Sequence, residues 1–237
     1  MSTGGRRAGP GIAIALFGAA ALAWVWLLAG AGVGMEQMDM GGGKLMPMQP
    51  EWTLGYAALV LAMWIVMMVA MMLPGAAPAI LEAASPFAFA AGYLLVWSAF
   101  SLVATLAQFA LDRSGLLDAM ALRGDVAAGV VILAVGLYQL TPLKHACLRA
   151  CAPPFPASEG AARSLRQGLR YGAACLGCCS AMMALLFVVG LMNLIWVAAV
   201  ALWLTAEKLL PWRRGIALAA GAGLLGWGGA ILAFAAL

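Results

Sequence analysis

All five cysteines and the single histidine of this 237-residue chain fall inside one stretch, Tyr138 to Met183. It reads YQLTPLKHACLRACAPP, then a basic linker, then YGAACLGCCSAMM. Cys147 and Cys151 are four residues apart, as are Cys175 and Cys179, Cys178 and Met182, and Cys179 and Met183. On a helix, residues four apart share a face, so these spacings present sulfur in rows. Thiolate and thioether sulfur are soft ligands that select Cu(I), zinc or iron–sulfur chemistry over Mg²⁺ or Ca²⁺. A C-x3-C segment facing a C-x2-C-C segment could supply four thiolates with one to spare. Neighbouring lysine and arginine favour the thiolate form. The spacing is not that of a zinc finger. His145 precedes Cys147 by two residues, about 200° around a helix, and so tends away from the cysteine face. One cysteine alone would read as a small, buried packing residue. Five around one linker favour a metal or redox site.

Methionine is the second chemical signal, with 15 in the chain. Met63, Met67 and Met71 are spaced to share one face of a helix, with Met68 and Met72 beside them. Methionine also serves as an adaptable packing residue, but this density exceeds what packing alone requires. The Gly- and Pro-rich segment 31–52 adds Met35, Met38, Met40, Met46 and Met48, and reads as a Met-rich loop. The candidate metal ligands are therefore Cys147, Cys151, Cys175, Cys178, Cys179, Met63, Met67, Met71, Met182, Met183 and His145. Copper as Cu(I) fits this donor set best, and zinc is a second possibility.

The elements that must position these residues are membrane helices. The chain is 65% hydrophobic and 9% charged, whereas a soluble domain is roughly a quarter charged. Runs such as AALVLAMWIVMMVAMML do not alternate as barrel strands would. Helices are then the spanning structure that satisfies the backbone. The reading is an all-α, polytopic transmembrane helix bundle forming a single integral membrane domain over 1–237, with about seven spans. Expected spans are 11–30, 54–73, 87–111, 126–140, 171–189, 194–206 and 216–236. A cleaved signal peptide at the first run would leave about six. Pro74 and Pro78 are expected to end or bend the second span, and Gln108 reads as interfacial. Thr141-Pro142 reads as an N-cap and first position of a short helix carrying His145, Cys147 and Cys151.

Charge sets the orientation. With the N-terminus cytoplasmic, Arg6, Arg7, Lys144, Arg149, Arg163, Arg166, Arg170, Lys208, Arg213 and Arg214 lie inside, and Lys44, Arg113 and Arg123 outside. Segment 1–10 becomes a cytoplasmic tail, 31–52 an extracytoplasmic loop, and 142–170 a basic cytoplasmic linker with cysteines. Glu82 and Glu207 read as boundary anchors. The net charge of +4 is explained by this bias, so no nucleic-acid partner is implied. Ala222, Gly226 and Ala230 form a small-residue row on the last helix, suited to close packing, a homo-oligomer or a membrane partner.

The segments MWIVMMVAMMLPGAAP, YQLTPLKHACLRACAPP, GCCSAMMALLFVVGLMNLIW and EKLLPW resemble a bacterial family described as predicted metal-binding integral membrane proteins. The resemblance covers Trp52 to Trp212. It implies residence in a bacterial cytoplasmic membrane and a metal role. The matching positions are Met67, Met68, Met71, Met72, Pro74, Tyr138, Gln139, Pro142, Lys144, Cys147, Cys151, Gly177, Cys178, Cys179, Asn193, Glu207 and Lys208; Cys175 lies outside those motifs.

Three functional classes follow. The first is Cu(I) transport or delivery across the membrane, from methionines to cysteines. The second is a membrane thiol–disulfide oxidoreductase, against which a reducing cytoplasmic face counts. The third is a non-catalytic subunit or assembly factor. Enzyme chemistry of the hydrolase kind is poorly supported, with one histidine and no intramembrane carboxylate pair.

Overall fold

A computed structural model of the chain describes residues 9–30, 37–39, 45–47, 51–118, 120–152, 160–191 and 193–236. Among these residues the fold is helical, with two short antiparallel hairpins. The helices are α1 (Pro10–Leu28), α2 (Leu54–Glu82), α3 (Pro86–Arg113), α4 (Asp125–Gln139), α5 (Pro142–Ala150), α6 (Ala161–Val189), α7 (Leu194–Leu209) and α8 (Arg213–Ala235). Strands β1 (Gln37–Asp39) and β2 (Leu45–Pro47) form one hairpin, which sets Met38 opposite Met46 in register. Strands β3 (Leu117–Asp118) and β4 (Ala121–Leu122) form the other. Met35, Met40 and Met48 lie outside the described residues.

Five helices are long and apolar enough to cross a membrane: α1, α2, α3, α6 and α8. The α4–α5 pair, bent by 62°, is a sixth candidate. The expected count of about seven included α4 and α7 as full spans. At 15 and 16 residues they reach roughly 22–24 Å, short of the ~30 Å hydrocarbon core.

Two helices are longer than their apolar runs. α2 continues through Pro74 and Pro78 to Glu82. The Tyr93 hydroxyl donates to the Met72 carbonyl at 3.2 Å. Each proline lacks the N–H that would bond four residues back, so the carbonyls freed are those of Ala70 and Pro74; the Tyr93 bond to Met72 instead ties α3 to α2 just before the first proline. α6 begins at Ala161, ten residues before the apolar run at Tyr171. The segment AARSLRQGLR is polar but rich in good helix formers. Hydropathy marks where a helix meets lipid, whereas helix propensity decides where it starts. The cysteines therefore lie midway along a helix of about 43 Å, not in its first turn.

Glycines set how closely the helices approach. A Cβ at Gly92 of α3 would stand 2.3 Å from the Leu165 carbonyl oxygen, and one at Gly168 of α6 would stand 2.1 Å from that of Phe89. α3 and α6 thus touch backbone to backbone. α4 and α8 pack the same way, Gly136 against Gly221 and Gly129 against Gly228. The small-residue row expected to pack lies on another face of α8, which no helix among the described residues covers. Ala222, Gly226 and Ala230 are exposed, and a Cβ at Gly226 would meet nothing within 4 Å.

The core is built around Trp64, Phe89, Tyr93 and Trp97 with all five α2 methionines, each buried. Gln108 is 2% exposed and accepts a hydrogen bond from Trp64 Nε1 at 2.9 Å, so it is a core residue rather than an interfacial one. Glu207 and Lys208 are also buried. Their reading as a boundary anchor is corrected: each has a specific buried partner.

Candidate metal centre

The centre starts with three cysteines of α6. The Sγ atoms of Cys175, Cys178 and Cys179 all lie within 4.8 Å of one another. That separation is about twice a metal–thiolate bond of roughly 2.3 Å, so one ion could reach all three. Cys178 Sγ is 3.3 Å from Cys179 Sγ, and the Cys178 thiol donates to the Cys175 carbonyl at 3.2 Å. All three residues are at most 1% exposed.

A fourth cysteine comes from α5. Thr141 Oγ1 accepts from the Lys144 backbone N–H at 3.2 Å, and Pro142 occupies the first turn, so α5 starts as its sequence predicts. The bend after α4 turns α5 against α6. This brings buried Cys151 into hydrogen bonding with Cys175 and Cys178. Cys147, one turn earlier and half-buried, rests on Gly177; a Cβ there would stand 2.6 Å from Cys147 Sγ. The two cysteine segments therefore meet, with Cys151, Cys175, Cys178 and Cys179 inside and Cys147 at the edge.

An ion pair clamps this junction. Lys144 of α5 is fully buried, and its Nζ lies 2.7 Å from Glu207 Oε2 of α7 and donates to the Cys178 carbonyl at 2.6 Å. Trp203 Nε1 and Gln139 Nε2 donate to the other carboxylate oxygen at 3.0 and 3.3 Å. Tyr138 O–H donates to the Gly177 carbonyl. A buried carboxylate is tolerable only when paired and hydrogen-bonded in this way. The network ties α4, α5, α6 and α7 together behind the sulfur atoms.

On the opposite side the centre meets α2 and α3. Lys208 Nζ donates to Cys175 Sγ at 3.0 Å and to Met72 Sδ at 3.6 Å. The Tyr93 hydroxyl lies 3.2 Å from Cys175 Sγ. Glu207 and Lys208 are adjacent, about 100° apart on α7. One side chain turns to the clamp and the other to the sulfurs.

The remaining expected ligands sit elsewhere. His145 is half-buried and outside the cysteine group, with Arg214, Lys144 and Arg149 as its charged neighbours. Met63, Met67 and Met71 are buried along α2. Met183 is buried one turn beyond Cys179, and Met182 lines an apolar cavity of about 300 Å³ among α6, α7 and α8. Reasoning from spacing missed Met72, Tyr93 and Lys208 as neighbours of the centre. A signal for Lys208 was present: charge at the end of an apolar helix is costly and marks function by default.

Donor chemistry and enclosure together fit a soft metal ion. The site is sulfur-rich and buried, with three cysteines in one cluster and Cys151 beside it. A family model described as "PpoB2: Copper chaperone" matches residues 61–231, which includes every residue of the centre and of its clamp. No curated protein and no solved structure matches the chain.

Proposed function

The chain belongs to the PpoB2 copper chaperone family, and from that premise we propose that it binds Cu(I) at its cysteine centre and delivers the ion across or within a bacterial cytoplasmic membrane. The observation that carries this reading is the convergence of Cys175, Cys178 and Cys179, with buried Cys151 beside them and a methionine-lined helix nearby. Thioethers bind Cu(I) without charge, and thiolates bind it with charge. Affinity therefore rises from α2 toward the cysteines, which gives the ion a direction. The Met-rich segment 31–52 collects copper outside, Met63, Met67 and Met71 pass it along α2, and the thiolates receive it.

In this reading the N-terminus is cytoplasmic and α4 and α7 also cross, their short length accommodated by local thinning of the bilayer, making seven passes. The positive-inside bias supports that orientation. Loading the centre is ligand exchange, with no change in oxidation state and no bond to carbon made or broken.

The test is copper content of the full-length protein, purified in detergent and loaded with Cu(I) under anaerobic conditions. Near-stoichiometric copper in the wild type, and its loss when all five cysteines become serine, is the expected result. Retention of zinc but not copper, or of no metal, overturns the proposal. For delivery, Met63, Met67 and Met71 changed together to leucine should lower copper accumulation by cells. Leucine conserves volume closely enough to cost less than about 1.5 kcal/mol per site, so unchanged accumulation would remove α2 from the route.

A further inference from the structure

Between the methionine helix and the cysteine centre stands an ammonium group. Lys208 leaves α7 and lies along Gly75 of α2, where an added Cβ would be 3.4 Å from its Cδ. Its Nζ ends between two sulfurs of different helices, 3.0 Å from Cys175 Sγ and 3.6 Å from Met72 Sδ. The residue is 4% exposed. The adjacent carboxylate does not neutralise it, because Glu207 is committed to Lys144. The lysine head group thus lies where a cysteine sulfur and a thioether sulfur converge. Cu(I) carries the same charge as an ammonium and seeks the same two sulfurs.

We propose that Lys208 is the gate between Met72 and the cysteine centre, a tethered cation that holds this junction until Cu(I) displaces it. This deepens the copper reading and rests on it. The step balances as ligand exchange with Cys175 entering as the thiolate paired to the lysine ammonium: the Cu–S bond to Met72 breaks, one to the Cys175 thiolate forms, and the ammonium moves off with its proton and its charge unchanged. A lysine suits the task because its charge rides on a flexible four-carbon stem with a single compact head. The Thr205 hydroxyl, also beside Gly75, offers an oxygen acceptor for the displaced head. The gate is selective because Na⁺, K⁺ and Mg²⁺ bind sulfur too poorly to compete with the ammonium.

The experiment compares wild type, Lys208→Met and Lys208→Arg, full length in lipid nanodiscs, with Cu(I) supplied from a coloured bathocuproine disulfonate complex. Final occupancy and loading rate are read separately from the chelator's absorbance. Lys208→Met should reach wild-type occupancy and load at least about tenfold faster, because it removes a like charge a few ångström from the incoming ion. Lys208→Arg, whose broad planar fork cannot swing clear, should load more slowly than wild type. Equal rates in all three proteins overturn the gate. A tenfold or greater loss of retention in Lys208→Met makes the lysine a resident counter-ion and also overturns it. A wild type that holds no copper sinks the copper reading itself.

Should Lys208→Met fail to fold, the wild type provides the second measurement. The chain has three lysines, Lys44, Lys144 and Lys208, so their ammonium signals can be resolved after ¹⁵N-lysine labelling. On loading with Ag(I), a redox-inert soft cation of the same charge, Lys208 should lose its protection from solvent exchange while Lys144 keeps it. Protection retained at Lys208 means it was not displaced.

Discussion

Changing Glu207 to glutamine isolates the charge that clamps the cysteine centre. The amide keeps the size of the carboxylate and can still accept from Trp203 and Gln139, so the main loss is the ion pair with Lys144. At 2.7 Å that attraction is about 6 kcal/mol at an effective dielectric of about 20. Burial offsets much of it, since each ion costs several kcal/mol to desolvate. Removing one partner leaves the other charged, buried and unpaired, at a typical cost of about 3–5 kcal/mol. Lys144 retains only the Cys178 carbonyl, so we expect the upper part of that range. The assay is equilibrium unfolding in mixed micelles, followed by tryptophan fluorescence, for Glu207→Gln, Lys144→Met and the double variant Lys144→Met/Glu207→Leu. Each single change should cost at least about 3 kcal/mol, and the apolar double variant should recover most of it. A loss below about 1 kcal/mol in Glu207→Gln would place the pair in the surface class and refute the clamp. So would a double variant as unstable as the sum of the singles, because it would show no coupling.

Three further outcomes follow. Gly168→Ala drives a Cβ to 2.1 Å from the Phe89 carbonyl oxygen and should destabilise the fold by about 1–3 kcal/mol or more. Gly226→Ala meets nothing within 4 Å and should change stability by less than about 0.5 kcal/mol; the same unfolding assay checks both. Cys147→Ser should leave copper stoichiometry unchanged, because Cys147 lies at the edge of the centre, while Cys178→Ser should weaken retention against a competing chelator; equal losses in the two variants would contradict the assignment of inner and edge thiols.

The membrane class and most helix positions were legible in the chain because they rest on local physics. Apolar run length marked where α1, α2, α3 and α8 lie, though not the C-terminal end of α2, and the Thr141-Pro142 cap marked the start of α5 to the residue. Sulfur spacing also marked the right region for the centre. What spacing could not reach was which sulfurs meet. Met63, Met67 and Met71 form the clearer row in sequence, yet Met72 is the one that touches Lys208 beside Cys175.

The physical reason is that residue type and spacing report a helix's own faces, whereas contacts depend on how faces are paired. Residue type by itself determined that the chain is helical, apolar and rich in soft donors. Tertiary structure alone decided that a 62° bend between α4 and α5 lays α5 against α6, and that Gly92 and Gly168 let α3 carry Tyr93 up to Cys175. It also decided that neighbouring charges on α7 serve different partners. Glu207 and Lys208 look like one anchoring pair in sequence because they are adjacent. In the fold, 100° of helical rotation separates a structural clamp from the cation that stands beside the sulfurs.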